Sequence, residues 1–405
     1  MKRKLILFTD RYPYGKSEAF LESEIEYLCK SFEKVTILPF EKGTDKNIRA
    51  IPKNAELLNP PLIKAKRSPE LLFKGIFNTY NIAPFLSEGL NARVWKSFTK
   101  FRIWFTHLLV IRTLMSEIKR QNLLNFFNKN DILYFYWGLR WSQIIPFLPE
   151  EVISKKAVRF HGSDLYEHTN NNYIPWRKKQ LERTDLIVTV SETGKNYMME
   201  KYNIPPEKIF LSRIGTKDYG INPYKKRESI RIVSCSNIVP VKRVELLAMA
   251  LKHLTIKAEW VHFGDGKYRK KVERLASQLP ANISYEFPGV VSHDELIGYY
   301  KNTTIDVFIN VSSSEGVPVS VMEALSFGIP VIATPAGGTP EIVSEKNGII
   351  IPLNFEPAYL AKKIEELVGN DNYLEYRSAA RQTWEEKCRE DKLFPEFVEY
   401  LSSLC

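Results

Sequence analysis

The chain has 405 residues, 44% of them hydrophobic, and a formal net charge of +11, which is enough apolar material for two domains with cores of their own. No apolar run approaches the roughly 18 residues of a membrane span, and the opening MKRKLILFTDRYP breaks its short apolar run at Asp10 and Arg11, too early for a secretion signal. Cys29, Cys235, Cys388 and Cys405 are scattered without metal-ligand or redox spacing, so a reducing cytoplasmic setting and no metal site are expected.

Strands are predicted at residues 4–9, 35–40, 132–137, 157–160 and 185–190, and again at 230–235, 259–263, 283–287, 305–311 and 330–334, with 348–351 adding another. Helical stretches separate them, and such alternation predicts α/β architecture with parallel sheets covered on both faces. The break falls near 214–229, where GTKDYGINPYKKRES is polar, charged and rich in turn residues. The expected division is a Rossmann-like domain over 1–214, a second over 215–383, and an amphipathic terminal segment over 384–405. Ligands of open parallel sheets bind beyond the carboxyl ends of the strands, so the residues that leave each strand are the ones to inspect.

The first strand is followed by Asp10, Arg11, Tyr12, Pro13, Tyr14, Gly15 and Lys16, after which Ser17, Glu18 and Glu22 read equally as a helix start. Residues 63–124 then carry eleven Lys or Arg against three Glu, eight of the eleven excess charges, among Phe73, Phe77, Trp95, Phe98, Phe101, Trp104 and Phe105. A basic, aromatic region suits an anionic membrane surface and a lipid-diphosphate-linked acceptor. The same pattern also describes a long helix whose residues 104–111 face the core with lysines outside. No nucleic-acid recognition motif accompanies the charge, so no nucleic-acid partner is expected. In RFHGSDLY, His161 ends a strand beside Gly162 and shares its loop with Asp164. Asp164 there orients the ring, binds an acceptor, or caps the following helix.

In the second half, SNIVPVKRVELL puts Asn237 after a strand and Lys242 and Arg243 at the start of a helix, where cations are unfavourable unless an anion such as a diphosphate offsets them. A solvated basic helix end is the plainer reading. Gly264, Asp265 and Gly266 leave the next strand. The most informative stretch is 312–341, SSSEGVPVSVMEALSFGIPVIATPAGGTPE. Pro318 suits the first turn of a helix that Gly328 and Pro330 close, so Glu315 lies in the loop before it and Glu323 inside it. Carboxylates in apolar surroundings are costly unless they meet donors. A vicinal diol supplies two, and a Lys or Arg is the simpler partner for Glu323. Gly337 and Gly338 strip side chains from the next turn, where Thr339, Pro340 and Glu341 read as an N-cap, first turn and acidic helix start suited to an anion.

Glu315 and Glu323, followed by GIPVIAT and then Gly-Gly and Glu341, resemble the donor-site signature of retaining glycosyltransferase family 4, and the similarity extends over the C-terminal half. That resemblance implies the GT-B fold, two Rossmann-like domains with parallel sheets facing across a cleft, the terminal helix crossing back to the first. It implies that Glu315 contacts the donor sugar and Glu323 the ribose. The turn Gly316-Val317-Pro318 would place backbone amides near sugar and diphosphate, with Lys242, Arg243, Gly264, Gly337 and Gly338 around them. The family pattern Gly-Arg-x-x-x-x-Lys matches at Lys242 but has Asn237 where Arg is expected, leaving Arg243, Arg213 or another cation to replace it. His161 resembles the family's His-Gly motif near the reacting centre, and Gly15 its first, glycine-containing loop, with Lys16 and Asp164 beside donor phosphate or acceptor.

The implied activity is retaining, metal-independent transfer from a nucleotide diphosphate sugar, with no other cofactor, to a glycan or lipid-linked glycan hydroxyl. It would serve bacterial surface polysaccharide or glycolipid synthesis in the cytoplasm or on the inner face of the membrane. A non-catalytic nucleotide-sugar-binding protein, or a phosphorylase or epimerase of the same architecture, is the alternative.

Overall fold

The computed structural model describes residues 3–15, 18, 20–42, 48–59, 83–127 and 129–404. It separates into two compact units, Met1–Val190 with Gly194–Ser212 and Phe394–Cys405, and Ser191–Thr193 with Arg213–Leu393. The terminal segment is thus divided, only its last part grouping with the first unit.

The first unit is built on a seven-stranded sheet. Its strands are β1 (Lys4–Thr9), β2 (Lys34–Pro39), β3 (Ala55–Leu57), β4 (Ile132–Phe135), β5 (Lys155–Phe160), β6 (Leu186–Thr189) and β7 (Ile209–Leu211). They lie in the order β3-β2-β1-β4-β5-β6-β7, every pairing parallel. Side chains alternate between faces along each strand. Leu5, Leu7, Val35, Ile37, Ile132 and Tyr134 enter one core layer, whereas Ile6, Phe8, Leu38, Leu133 and Phe135 enter the other. Both faces are covered, which is why these strands read as nearly continuous apolar runs. Phe397, Val398 and Leu401 of the terminal helix Glu390–Ser403 join the first of these layers.

The second unit carries β8 (Ile230–Cys235), β9 (Ala258–Phe263), β10 (Ile283–Gly289), β11 (Val307–Asn310), β12 (Val331–Ala333) and β13 (Gly348–Ile350). They are parallel throughout in the order β10-β9-β8-β11-β12-β13. The chain winds outward from β8 in one direction and from β11 in the other, so the loops leaving these two strands emerge side by side. The first sheet has the same switch between β1 and β4. Such switch points are where open parallel sheets bind ligands.

All predicted strands are present; β3 and β7, three residues each, were too short to show a periodicity. One expectation needs correction and two are made more specific. Residues 339–341 form only a three-residue 3-10 turn, and the Thr339 hydroxyl donates to the Ala336 carbonyl instead of capping a helix, so no helix N-terminus awaits an anion there. Lys242 and Arg243 do stand at the start of helix Val244–Leu251: Arg243, left-handed at φ 51°, is its N-cap residue, and Lys242 ends the 3-10 turn just before it. The aromatic stretch divides, since Trp104, Leu108, Leu109 and Ile111 are the buried face of helix Phe98–Arg120, whereas Trp95, Phe98 and Phe101 are exposed. Residues 60–82, with Phe73 and Phe77, and Lys16 lie outside the described residues. Among the described residues, no helix is long and apolar enough to cross a membrane.

Candidate functional site

In the second unit the site is assembled at the β8/β11 switch point. The register Val307↔Ile232 and Phe308↔Val233 sets the ends of β8 and β11 side by side, and from there the Lys242 ammonium donates to Glu315 Oε1 at 2.6 Å. Asn310 Nδ2 donates to the same oxygen at 3.3 Å. A small pocket between the two strand ends is lined by Ser236, Lys242, Asn310 and Ser312. Cys235 borders it too, its thiol pushed up to about 12 by burial, and so un-ionised at neutral pH.

Glu323 sits in helix Val319–Ser326, whose Val321, Met322, Ala324 and Leu325 are buried, with Pro318 as the N-cap residue just before it. The carboxylate is held by His293 Nε2, 2.8 Å from Oε1. Both carboxylates singled out by the sequence therefore have partners, but the partner of Glu323 is a histidine, neither Lys nor Arg. His293 was missed because the exit of β10, like those of β2, β4 and β13, was not among the strand exits considered. Its signal was legible in VSHDEL: Ser292 and Glu295 form a reciprocal capping box that opens helix His293–Asn302.

The Gly337-Gly338 turn is explained by packing against the Glu315 loop. Gly337 has φ 54°, and a Cβ there would stand 2.0 Å from the Glu315 carbonyl oxygen. At Gly338 a Cβ would press within 2.7 Å of Val317 Cγ2, and its amide donates to the Gly316 carbonyl at 2.6 Å. The turn thus fixes the backbone of Glu315, Gly316 and Val317.

Neither arginine considered as a replacement at Asn237 is uncommitted. The Arg243 guanidinium donates to the carbonyls of Val311 (2.7 Å), Leu353 (2.8 Å) and Ser312 (3.4 Å), stapling loops together. Arg213 pairs with Glu341 at 2.7 Å. Glu341 also accepts the amides of Glu192 and Thr193, each at 3.0 Å. Asn237 itself is exposed, and Gly264 allows the β9 exit to pass against the Ser236 carbonyl.

In the first unit the exits of β1, β4 and β5 are tied together. The Glu18 carboxylate accepts three consecutive amides, Asp10 (3.0 Å), Arg11 (2.8 Å) and Tyr12 (2.7 Å), and the Trp137 indole N–H at 2.7 Å. It is a loop anchor rather than part of a helix start; the helix begins at Leu21. Gly15, left-handed at φ 66°, turns the same loop. Trp137 lies against His161, ring centroids 4.3 Å apart. The Asp164 carboxylate accepts the amides of His161 (2.6 Å) and Gly138 (2.5 Å), so the capping reading describes it; burial pushes it up to about 7.

His161 is buried, and its Nε2 lies 3.0 Å from the Tyr136 carbonyl. Since a carbonyl only accepts, Nε2 carries the proton. Burial, helped by the nearby Arg159 charge, lowers its pKa to about 3, so the ring is neutral at physiological pH. Arg159 belongs to a buried cluster with Glu24, 3.3 Å away, to which the Tyr134 and Tyr136 hydroxyls also donate.

Residues 221–386 match the family model described as glycosyl transferases group 1. A protein named as a colanic acid biosynthesis glycosyltransferase, WcaL, of Escherichia coli (strain K12) is 28% identical over 214 residues, 49% of this chain and 52% of its own. The N-acetyl-alpha-D-glucosaminyl L-malate synthase of Bacillus anthracis is 23% identical over 71% of this chain and 77% of its own. The chain spans about half the length of the first curated relatives it matches. A crystal structure of Anabaena HepE in complex with UDP superimposes with a TM-score of 0.65 at 15% identity, covering 100% of both chains. The GT-B fold, with one Rossmann-like parallel sheet in each unit, is the fold of this chain.

Proposed function

We propose that the chain, whose residues 221–386 match the model of group 1 glycosyl transferases, is a retaining glycosyltransferase of bacterial surface polysaccharide or glycolipid synthesis. Its donor is a nucleotide diphosphate sugar, its acceptor a glycan or lipid-linked glycan hydroxyl. The observation that carries this reading is the Lys242–Glu315 pair at the β8/β11 switch point, with Glu323 on the helix that follows. Glu315 accepts hydroxyls of the donor sugar and Glu323 those of the ribose. Lys242 lies where the diphosphate leaves, with Asn237 and the amides of the Gly316–Val317 turn as further donors. In the reaction the bond from the anomeric carbon to the diphosphate breaks, its electron pair leaving with the phosphate. The acceptor oxygen forms the new bond on the same face, and its proton passes to the departing diphosphate. Stabilising that developing charge is the task of Lys242, and holding both substrates together supplies the rest. Neutral His161 acts by packing and orientation. No divalent ion is used, so turnover persists in EDTA.

Glu315→Ala is expected to abolish both sugar transfer and the slow hydrolysis of nucleotide sugars, with an unchanged circular dichroism spectrum. Wild-type turnover in that variant would overturn the assignment. A protein that binds nucleotide sugars but never releases nucleoside diphosphate from them would be the non-catalytic alternative.

The acceptor side of the proposal includes attachment to an anionic membrane. Helix Ala83–Asn91, the turn Val94–Lys96 and the start of helix Phe98–Arg120 pack together, Gly89 lying against Trp104. They expose Leu90 (63%), Trp95 (59%) and Phe98 (81%) beside exposed Arg93, Lys96 and Arg102. Glu88, the acidic side chain in this stretch, bonds to the Tyr173 hydroxyl. Apolar side chains ringed by cations fit an anionic bilayer surface. Co-sedimentation with phosphatidylglycerol vesicles, absent with phosphatidylcholine and lost in Trp95→Ala/Phe98→Ala, is expected. Equal binding by that variant would remove this surface from the account.

A further inference from the structure

We propose that His293 is a positioning residue for the nucleotide end of the donor site, acting through Glu323; the inference rests on the reading of Glu323 as the ribose carboxylate. Glu323 projects from a helix whose neighbouring side chains are buried and apolar. An unrestrained carboxylate there would sample several rotamers. His293 Nε2, 2.8 Å from Oε1, selects the rotamer and occupies that oxygen, so that Oε2 serves the two hydroxyls. The imidazole is itself restrained. Its residue opens helix His293–Asn302 behind the Ser292/Glu295 capping box, and the Tyr219 ring lies edge-on to it at 5.9 Å. Tyr219 in turn stacks at 6.4 Å on Phe327, the residue that closes the helix carrying Glu323.

The exposures support a functional role over a structural one. The His293 side chain is 52% exposed and that of Glu323 10%. A half-exposed side chain contributes little to the core, yet it donates to a carboxylate that is nearly covered. Preorganising a ligand-binding group lowers the ordering cost of binding without adding a contact to the ligand. Its loss should therefore weaken donor binding and spare the chemical step.

The test is isothermal titration of the 405-residue chain with UDP, GDP and ADP, together with nucleotide-sugar kinetics. Wild type is compared with His293→Ala, His293→Gln and Glu323→Ala. For the nucleotide that binds wild type, His293→Ala is expected to raise the dissociation constant and the donor KM about tenfold, the scale of one hydrogen bond to a charged group. Its kcat should stay within about twofold. Glutamine, whose amide nitrogen reaches a similar position, should recover most of the loss. Wild-type affinity in His293→Ala with weakened Glu323→Ala overturns this inference alone. So does equal impairment by Ala and Gln, or a fall in kcat with constant KM. Unchanged affinity in Glu323→Ala, or no binding of any of the three nucleotides by wild type, overturns the ribose reading and this inference with it.

Discussion

Replacing Lys242 by methionine keeps most of the side chain's length and removes its charge. The Nζ–Oε1 separation of 2.6 Å corresponds to a raw attraction of about 6 kcal/mol at an effective dielectric of about 20, most of which desolvation offsets. The Lys242 side chain is 24% exposed and that of Glu315 10%, so water reaches the stranded carboxylate. The stability cost is then roughly 1–2 kcal/mol, below that of a fully buried pair, and the melting temperature should fall by about 2–8 °C. Catalysis should suffer far more. A preorganised charge aimed at a leaving group is worth about 2.7–4 kcal/mol, a loss of about 10²–10³ in kcat. The assay is nucleoside diphosphate release from the preferred nucleotide sugar, measured for Lys242→Met, Glu315→Gln and the double variant. If Lys242 serves the leaving group, kcat collapses in Lys242→Met while its melting temperature changes modestly, and the double variant is no better. If Lys242→Met retains kcat within about threefold of wild type, Lys242 is only a counter-ion to Glu315, and the reasoning fails.

Gly337→Ala should be severe for a local reason. The new Cβ would stand 2.0 Å from the Glu315 carbonyl oxygen at φ 54°, costing about 3 kcal/mol or more and shifting Glu315, so both melting temperature and turnover should drop. Gly298→Ala, in a helix with nothing within 4 Å, should instead stabilise by about 0.5–1 kcal/mol; equal melting temperatures for the two would contradict the packing argument. His161 has a folded pKa lowered from 6.5 to about 3. Its neutral form therefore contributes stability above pH 6.5 that is lost as pH falls toward 3, on the order of 5 kcal/mol in full. Asp164, raised from 3.8 to about 7, acts in the opposite sense, its contribution being lost as pH rises through that range. Urea titrations of wild type minus His161→Gln isolate the first effect, and a pH-independent difference would refute it.

Much of this was legible in the sequence because buried parallel strands leave an unmistakable trace. VFIN of β11 and ILYF of β4 are covered on both faces, so their apolar runs and polar exits were legible without tertiary information, whereas the strand order that makes β8/β11 a switch point was not. Glu315 and Lys242 were found as strand exits, and Glu323 by its place in an apolar helix. What local pattern could not supply was pairing across elements. His293 meets Glu323 from a residue 30 positions away, and Glu341 meets the amides of Glu192 and Thr193 nearly 150 positions away. Arg243 looked like a phosphate ligand because its charge is visible in a sequence, whereas the carbonyls of Val311, Ser312 and Leu353 that occupy it are not. The glycines at 337 and 338 were recognised, but the loop that presses on them belongs to the preceding strand exit.

Binding of a nucleotide diphosphate sugar at the β8/β11 exits through Lys242, Glu315 and Glu323 is tested most directly by a crystal structure of the 405-residue chain soaked with the nucleoside diphosphate that binds it in solution. Ribose hydroxyls are expected within hydrogen-bond distance of Glu323 and a terminal phosphate oxygen within reach of Lys242. A nucleotide bound elsewhere, with the Lys242–Glu315 pair still closed and Glu323 untouched, would contradict it.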